Sequence, residues 1–408
     1  MINTVTESFE KNFGAKPEGV YFAPGRVDIM GNHCEYNGGN ILCMATNLGI
    51  YGTIKLREDD RIRVHTENRS KGDVSATLID DMEYSLTAGA NDCSGWRAYI
   101  TAAVKALNDN GFEVRKGFDA CLVSDLPMGE GLAGSTALTV LICVMINDAF
   151  SMGISPDKLA GIAQYAENKL CGRQTHIKDQ FAILFGKKDS AILLDTAEYD
   201  YDYIEIKNAD TEFGVIFTGD VECSDKNAYA TRRRETQTAL EIMQYAYNVS
   251  GTDIFGYTKD GVGNEPAYAC KATSQLVEDF VDYFMPRAYP RDNHGFNPQD
   301  LYKRMRHVVS ENERAKIAGA AIQHNDYKGL GEWITESGKS FRYDFEATLL
   351  KADHMLDNLW NTDGVLGAKL MGTGFGGSVL TLFDKEKEDK IGNKLTVIKP
   401  GNGAGRIG

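Results

Sequence analysis

Apolar positions recur at helical spacing through residues 3–13 and stop at Gly14, which predicts an opening helix with a glycine at its end. Gly19-Val20-Tyr21-Phe22 then reads as a strand. Period-two alternation in residues 50–56 and 61–65, around the polar turn Glu58-Asp59-Asp60, extends a β-rich region to about residue 90. Helical spacing returns over residues 96–107, a strand follows at 118–124, and two helices are expected over roughly 135–150 and 156–171. The second half is helix-rich, at 225–247, 266–285, 298–324 and 344–361, and closes with strands near 367–371 and 377–383. Glu198-Tyr199-Asp200-Tyr201-Asp202-Tyr203 reads as a solvated connection and supplies the expected domain boundary, giving domains of residues 1–200 and 201–408. No repeat or low-complexity tract interrupts this pattern, which excludes solenoid and coiled-coil architectures.

At 408 residues the chain exceeds one ordinary core, consistent with at least two domains. Its formal charge of −14 argues against a nucleic-acid partner or an anionic membrane surface, so any phosphate must be held locally. The eight cysteines stand singly, without the CxxC spacing of a zinc or redox site, and read as reduced thiols. Residues 1–10 lack the basic end and apolar run of a signal peptide. The apolar stretch 137–146 is too short to span a bilayer. A cytoplasmic location is expected.

Three glycine-rich segments carry the candidate chemistry. The first, Ala23-Pro24-Gly25-Arg26-Val27-Asp28-Ile29-Met30-Gly31-Asn32-His33-Cys34-Glu35-Tyr36-Asn37-Gly38-Gly39, gathers a cation, donors and acceptors in one turn, which suits a polyhydroxylated ligand beside an anion. The second, Leu126-Pro127-Met128-Gly129-Glu130-Gly131-Leu132-Ala133-Gly134-Ser135-Thr136-Ala137, lies between a strand and a helix, where main-chain N–H groups can cradle phosphate. Ser135 there suits a helix cap or a magnesium ligand; an ordinary turn and cap would look the same. A Walker loop is excluded, because the only Gly-Lys-Ser in the chain, Gly338-Lys339-Ser340, has Trp333 where the first glycine must stand. Downstream, Glu167 and Asp179 flank a turn at Gly172; alone, they read equally as surface or cap charges. The third segment, Gly367-Ala368-Lys369-Leu370-Met371-Gly372-Thr373-Gly374-Phe375-Gly376-Gly377, enters a late strand.

In this order the three segments resemble those of galactokinases, within the superfamily that also holds homoserine, mevalonate and phosphomevalonate kinases. Further stretches extend the resemblance over nearly the whole chain: Gly95-Trp96-Arg97-Ala98-Tyr99, Asn227-Ala228-Tyr229 and Arg306-His307-Val308-Val309-Ser310-Glu311-Asn312. It implies an α+β protein with an N-terminal domain of the ribosomal-protein-S5 domain 2 type, a ferredoxin-like C-terminal domain and an active site between them. The implied activity is ATP-dependent phosphorylation of a sugar C1 hydroxyl. Asp179 matches the acid that takes the hydroxyl proton, and Arg26 the cation that pairs with it. Glu167 and Ser135 match the Mg2+ site, and Gly129, Gly131, Leu132, Gly134, Ser135 and Thr136 the ATP phosphate loop. Arg26, Asn32, His33, Glu35, Asp179 and Tyr229 match sugar-contacting positions. The expected partners are a small sugar and ATP, and a monomer is expected rather than an obligate oligomer.

The chain departs from that pattern at several points. Ala133 and Gly134 replace serines, and His176 and Lys178 add positive charge near Asp179. Asn32 and Glu35 stand where two acids bind sugar hydroxyls, so the first charge is lost and the second gains a longer arm. Galactose is the expected substrate, with a uronate such as galacturonate as the competitor that an amide at position 32 would admit, and a non-catalytic sugar and ATP sensor as the alternative from another class. The run Arg232-Arg233-Arg234 reads as a solvated helix face.

Overall fold

A computed structural model describes residues 1–69, 78–87, 94–127, 129–207, 209–220, 226–250, 267–285, 294–392 and 394–408. Met128 of the second glycine-rich segment lies outside them. The chain divides into two compact units, the first formed by Met1–Val27, Met44–Ala191 and Ile398–Gly408, the second by Asp28–Cys43 and Ile192–Val397. Where the sequence suggests one cut at residue 200, the chain therefore passes between units several times, and the first signature is shared: Arg26 belongs to the first unit, Asn32 to the second.

The first unit is built on a sheet ordered β12-β1-β2-β5-β3-β4, with β1 Gly19–Met30, β2 Asn40–Leu56, β3 Arg61–Asn68, β4 Leu78–Ser85, β5 Phe118–Ser124 and β12 Gly405–Arg406. β3 and β5 run parallel, and the connection between them contains β4 and helix α2 (Gly95–Asp109). Every residue of β1 is buried, so this strand can carry a charged side chain only where partners await it. Helix α1 (Ile2–Phe13) stops where expected, because Gly14 takes the left-handed conformation with φ 65°. Its buried Val5 and Phe9 pack with Val20, Cys121 and Val123. Burial of each such large apolar side chain stabilises the fold by roughly 1.5–3 kcal/mol. Helices α3 (Gly134–Ala149), α4 (Pro156–Tyr165) and α5 (Lys178–Phe185) complete the unit, with a π-helical turn at Ala166–Leu170 after α4.

The second unit contains a four-stranded sheet ordered β11-β8-β10-β9, in which β10 Ser378–Asp384 pairs antiparallel with both β8 Thr211–Phe217 and β9 Val365–Leu370, and β11 is Thr396–Ile398. Two further strands, β6 (Ser190–Asp195) and β7 (Asp200–Glu205), pair with each other, and β6 pairs with residues 40–43 of β2. The acidic stretch at 198–203 is thus largely a strand edge rather than a free connection; its alternating tyrosines and carboxylates suit a pleat with one wet face. The helices are α6 (Lys226–Ser250), α7 (Ser274–Glu278), α8 (Pro298–Gln323), α9 (Tyr327–Tyr343) and α10 (Leu350–Trp360). The expected helix over 266–285 resolves into short pieces, and the one expected from 344 begins at Leu350. The sequence reading passed over α9, although Asp326 caps it by accepting from Gly329 N–H. This helix lies directly on β9: a Cβ on Gly331 would fall 2.4 Å from the Leu366 carbonyl oxygen, so glycine is required.

Candidate active site

In the first unit, β1 delivers Arg26 to the phosphate loop. Its main-chain N–H donates to the Leu132 carbonyl at 3.1 Å, and its Nη1 to the Gly131 carbonyl at 2.8 Å. The close approach depends on Gly25, where a Cβ would lie 2.5 Å from Leu126 Cδ1 and 2.8 Å from the Leu132 oxygen. The third contact of Arg26 is an ion pair, Nε to Asp179 Oδ1 at 2.7 Å, with both residues buried. Asp179 stands in the first turn of α5. An arginine whose main chain is tied to the Leu132 carbonyl and whose guanidinium is tied to the Gly131 carbonyl is a fixed cation, and it fixes its carboxylate in turn.

The loop itself takes left-handed φ at every second residue: 75° at Gly129, 80° at Gly131 and 59° at Ala133. Such alternation turns successive main-chain N–H groups inward into an anion-binding concavity. Helix α3 starts immediately afterwards, with Ala133 at its cap position and no side-chain cap bond. Ser135 is therefore not the cap; it lies inside the first turn, whose unbonded N–H groups, with those of Gly134 and Thr136, face the helix N-terminus. The Leu132 side chain is buried in the core, so only the main chain of this residue is open to a ligand.

Glu167 sits on the π-helical turn, completely buried. Thr136 Oγ1 donates to its Oε1 at 3.1 Å, and Gln180 Nε2 to its Oε2 at 2.5 Å. Burial pushes this carboxyl up to about 7, against the two hydrogen bonds, and the nearby Asp179 adds to the rise. A carboxylate that is costly to charge, with Asp179 close and hydroxyls at Ser135 and Thr136, fits a hard divalent cation completed by water and nucleotide oxygens. The Gln180 Oε1 beside it is buried and accepts no hydrogen bond among the described residues, a second oxygen suited to a cation. No group of three or more His, Cys, Asp or Glu suited to a metal occurs among the described residues. Sequence reasoning passed over Gln180 and the Thr136–Glu167 bond; adjacency to Asp179 was the available signal for Gln180.

The second unit holds the rest of the first signature. After Gly31, with φ 100°, the chain turns tightly and His33 itself is left-handed at φ 64°. Its Nδ1 lies 2.7 Å from Tyr36 Oη and its Nε2 3.1 Å from the Thr373 carbonyl, so Nε2 donates and Nδ1 accepts. Its ring packs against Phe345, Phe341 and Tyr229, with the Phe345 centroid 4.2 Å away. Tyr229 is buried beside Tyr36, and the Arg233 guanidinium lies 4.7 Å from the Tyr36 ring centre. Arg232 donates to the Phe345 carbonyl at 2.7 Å and pairs with Glu235. The arginine run is thus no solvated face: only Arg234 is exposed, while Arg232 holds the Phe345 carbonyl and Arg233 lies over Tyr36 of the turn. Glu35 is buried.

Asn32 is fully enclosed. Its amide nitrogen donates to the Leu370 and Gly372 carbonyls at 3.2 and 3.0 Å, and its Oδ1 accepts from Lys369 Nζ at 2.6 Å. The expected hydrogen bond from this amide to a sugar has no donor left to make it, because both amide hydrogens are committed inside the protein.

Residues 7–56 match the galactokinase galactose-binding signature, 98–187 the GHMP kinases N terminal domain and 319–397 the GHMP kinases C terminal domain. The chain is similar to a galactokinase of Lactiplantibacillus plantarum, 32% identical over 94% of this chain and 90% of the relative. It is 30% identical to one of Clostridium perfringens over 96% of this chain and 92% of that one. The crystal structure of Lactococcus lactis galactokinase complexed with galactose superposes with a TM-score of 0.80 at 26% identity, covering 99% of both chains. A mevalonate kinase crystal structure, 16% identical with a TM-score of 0.60 over 94% of this chain and 99% of that one, shares the fold alone. The two-domain α+β class expected from the sequence is that of this superfamily. By these matches the chain belongs to the galactokinase family of ATP-dependent sugar kinases.

Proposed function

We propose that the protein transfers the ATP γ-phosphoryl group to the C1 hydroxyl of α-D-galactose, giving galactose 1-phosphate and ADP. The observation that carries the reading is the buried 2.7 Å pair of Arg26 and Asp179, tied by Arg26 to the Gly131 carbonyl of the phosphate loop. Phosphoryl transfer asks the protein mainly for positioning and charge stabilisation, and this pair offers both. Asp179 accepts the C1 hydroxyl proton as the sugar oxygen bonds to the γ-phosphorus and the bond to the ADP oxygen breaks. Arg26 holds that carboxylate in place and lends positive charge to the oxygens around the transferring group. The main-chain N–H groups of the loop from Gly129 to Thr136 hold the nucleotide phosphates. Glu167 and Ser135 would hold Mg2+, which supplies charge neutralisation at the phosphate oxygens when bound.

For sugar recognition we assign the polar contacts to Arg26, Asp179 and Glu35, with Tyr229 as an aromatic wall. His33 has both ring nitrogens bonded inside the protein and shapes the turn. The test is ADP release with galactose, galacturonate, glucose and N-acetylgalactosamine in the presence of Mg2+. Turnover with galactose and identification of a 1-phosphate product supports the reading; preference for another sugar overturns the substrate, and absence of turnover overturns the activity.

A further inference from the structure

The second unit contains a buried charge cluster that the reaction chemistry does not use. Lys369 and Glu311 are both completely buried, with Nζ 3.3 Å from Oε1. The same Glu311 oxygen accepts from Gly31 N–H at 2.9 Å, from Asn32 N–H at 3.3 Å and from Ser337 Oγ at 2.7 Å. Its other oxygen pairs with Arg314 Nε at 2.8 Å. Lys369 reaches past Glu311 to Asn32 Oδ1, and the field of the buried Asp28 also acts on it. His307 completes the cage: its Nε2 lies 3.2 Å from the Asn32 carbonyl, and burial holds it neutral with a value lowered to about 3. Two cations, Lys369 and Arg314, thus face two carboxylates, Glu311 and Asp28, around a neutral amide.

We infer that Asn32, Lys369 and Glu311 form a charge-balanced clamp that positions the signature turn against the third glycine-rich loop, and that residue 32 sets sugar affinity through this clamp rather than by touching the sugar. This rests on the sugar-kinase reading above. The clamp bonds both main chains: Glu311 takes the N–H groups of residues 31 and 32, while the Asn32 amide takes the carbonyls of 370 and 372. One asparagine side chain, held by one lysine, therefore fixes the spacing of two segments more than 330 positions apart in sequence. The neutrality of residue 32 is what the cluster requires. A glutamate there, an acid as the family resemblance leads one to expect, would add a third carboxylate around the same lysine and an uncompensated buried charge. Lys369, Glu311 and Asn32 are positioning residues, and their effect belongs to sugar KM rather than to ATP KM.

The experiment is a coupling cycle on the full chain: wild type, Asn32→Glu, Glu311→Gln and the double variant, each measured for Tm and for kcat and KM with galactose and with ATP. Each single variant is expected to lower Tm and raise galactose KM about tenfold, with ATP KM changed less than about twofold. The double variant, which restores the charge count, is expected to recover most of both losses. Should Asn32→Glu fail to fold, recovery of a folded enzyme in the double variant supports the clamp, and Asn32→Asp with Glu311→Gln reads the same coupling with a shorter side chain. A lower galactose KM in Asn32→Glu at unchanged Tm would make residue 32 a direct sugar ligand and overturn the inference, as would losses that simply add in the double variant. If wild type does not phosphorylate galactose the substrate reading fails, while the Tm cycle still decides whether residues 32 and 311 are coupled.

Discussion

Glu167 and Glu311 are both buried glutamates, one in each unit, and their surroundings push them in opposite directions. Glu167 is met by a threonine hydroxyl and a glutamine amide, neither charged, and its carboxyl is raised to about 7. Glu311 is met by Lys369 and Arg314 together with two main-chain N–H groups and a serine, and these cations hold it well below its ordinary range despite complete burial. Desolvation is the largest influence on both, so burial alone does not decide the charge state; the presence of resident cations does. The first arrangement leaves a carboxylate with something to gain from an arriving cation. The second spends its carboxylate on structure.

The sharpest way to break this division is at the reacting pair. Asp179→Asn should reduce kcat by about a thousandfold through loss of the proton acceptor, with sugar binding still measurable by calorimetry. Unchanged turnover would remove Asp179 from catalysis. Lys369→Met should destabilise the fold by about 3 kcal/mol, since it leaves Glu311 Oε1 without its cation and Asn32 Oδ1 without its donor, and denaturant unfolding reads the difference. A smaller effect concerns the proton on Glu167. Its folded value of about 7 exceeds the ordinary 4.5, so the folded chain retains this proton through a window in which the unfolded chain releases it. The group's contribution to stability thus declines as pH rises from 4.5 to 7, while its capacity to bind a cation grows. Mg2+ affinity measured with ATP should fall by about tenfold per pH unit below neutrality, and Glu167→Gln should abolish that dependence. A pH-independent affinity in the unsubstituted enzyme would show that Glu167 is not a cation ligand. The smallest change is at Ala133, whose φ of 59° strains a residue bearing a Cβ. Ala133→Gly should relieve it and raise Tm slightly, by an amount equivalent to at most about 1 kcal/mol.

Much of the first unit was legible because its signals are local. The Gly14 stop of α1, the strand at 118–124 and the glycine loop before α3 each announce themselves within a dozen residues. Glu167 and Asp179 carried no such signal alone and became interpretable only through the order of the three motifs. The second unit resisted for the opposite reason. Asn32 and Lys369 look like unrelated polar residues until folding brings positions 337 apart in sequence to 2.6 Å. Arg232 and Arg233 likewise present the composition of a wet helix face, and only the Phe345 carbonyl and the Tyr36 ring reveal their use. Helix α9 escaped because five glycine and serine residues, Gly329, Gly331, Ser337, Gly338 and Ser340, dilute its helical propensity; packing on β9, which needs Gly331 and Gly338, overrides it.

The return of residues 398–408 to the first unit sets an order of assembly. β12 pairs with β1 at Tyr21 and Phe22, and Gly401 N–H donates to the Ala45 carbonyl, so the first unit's sheet edge and the middle of β2 are finished by residues translated after nearly all of the second unit. A chain emerging from the ribosome therefore carries an incomplete first unit, with the edge of β1 at Tyr21 and Phe22 lacking its partner, for the time taken to translate about 375 further residues, on the order of tens of seconds at ordinary elongation rates. Nascent-chain binding proteins would find their exposed strand there, and a stop codon late in the message would be felt at the opposite end of the polypeptide.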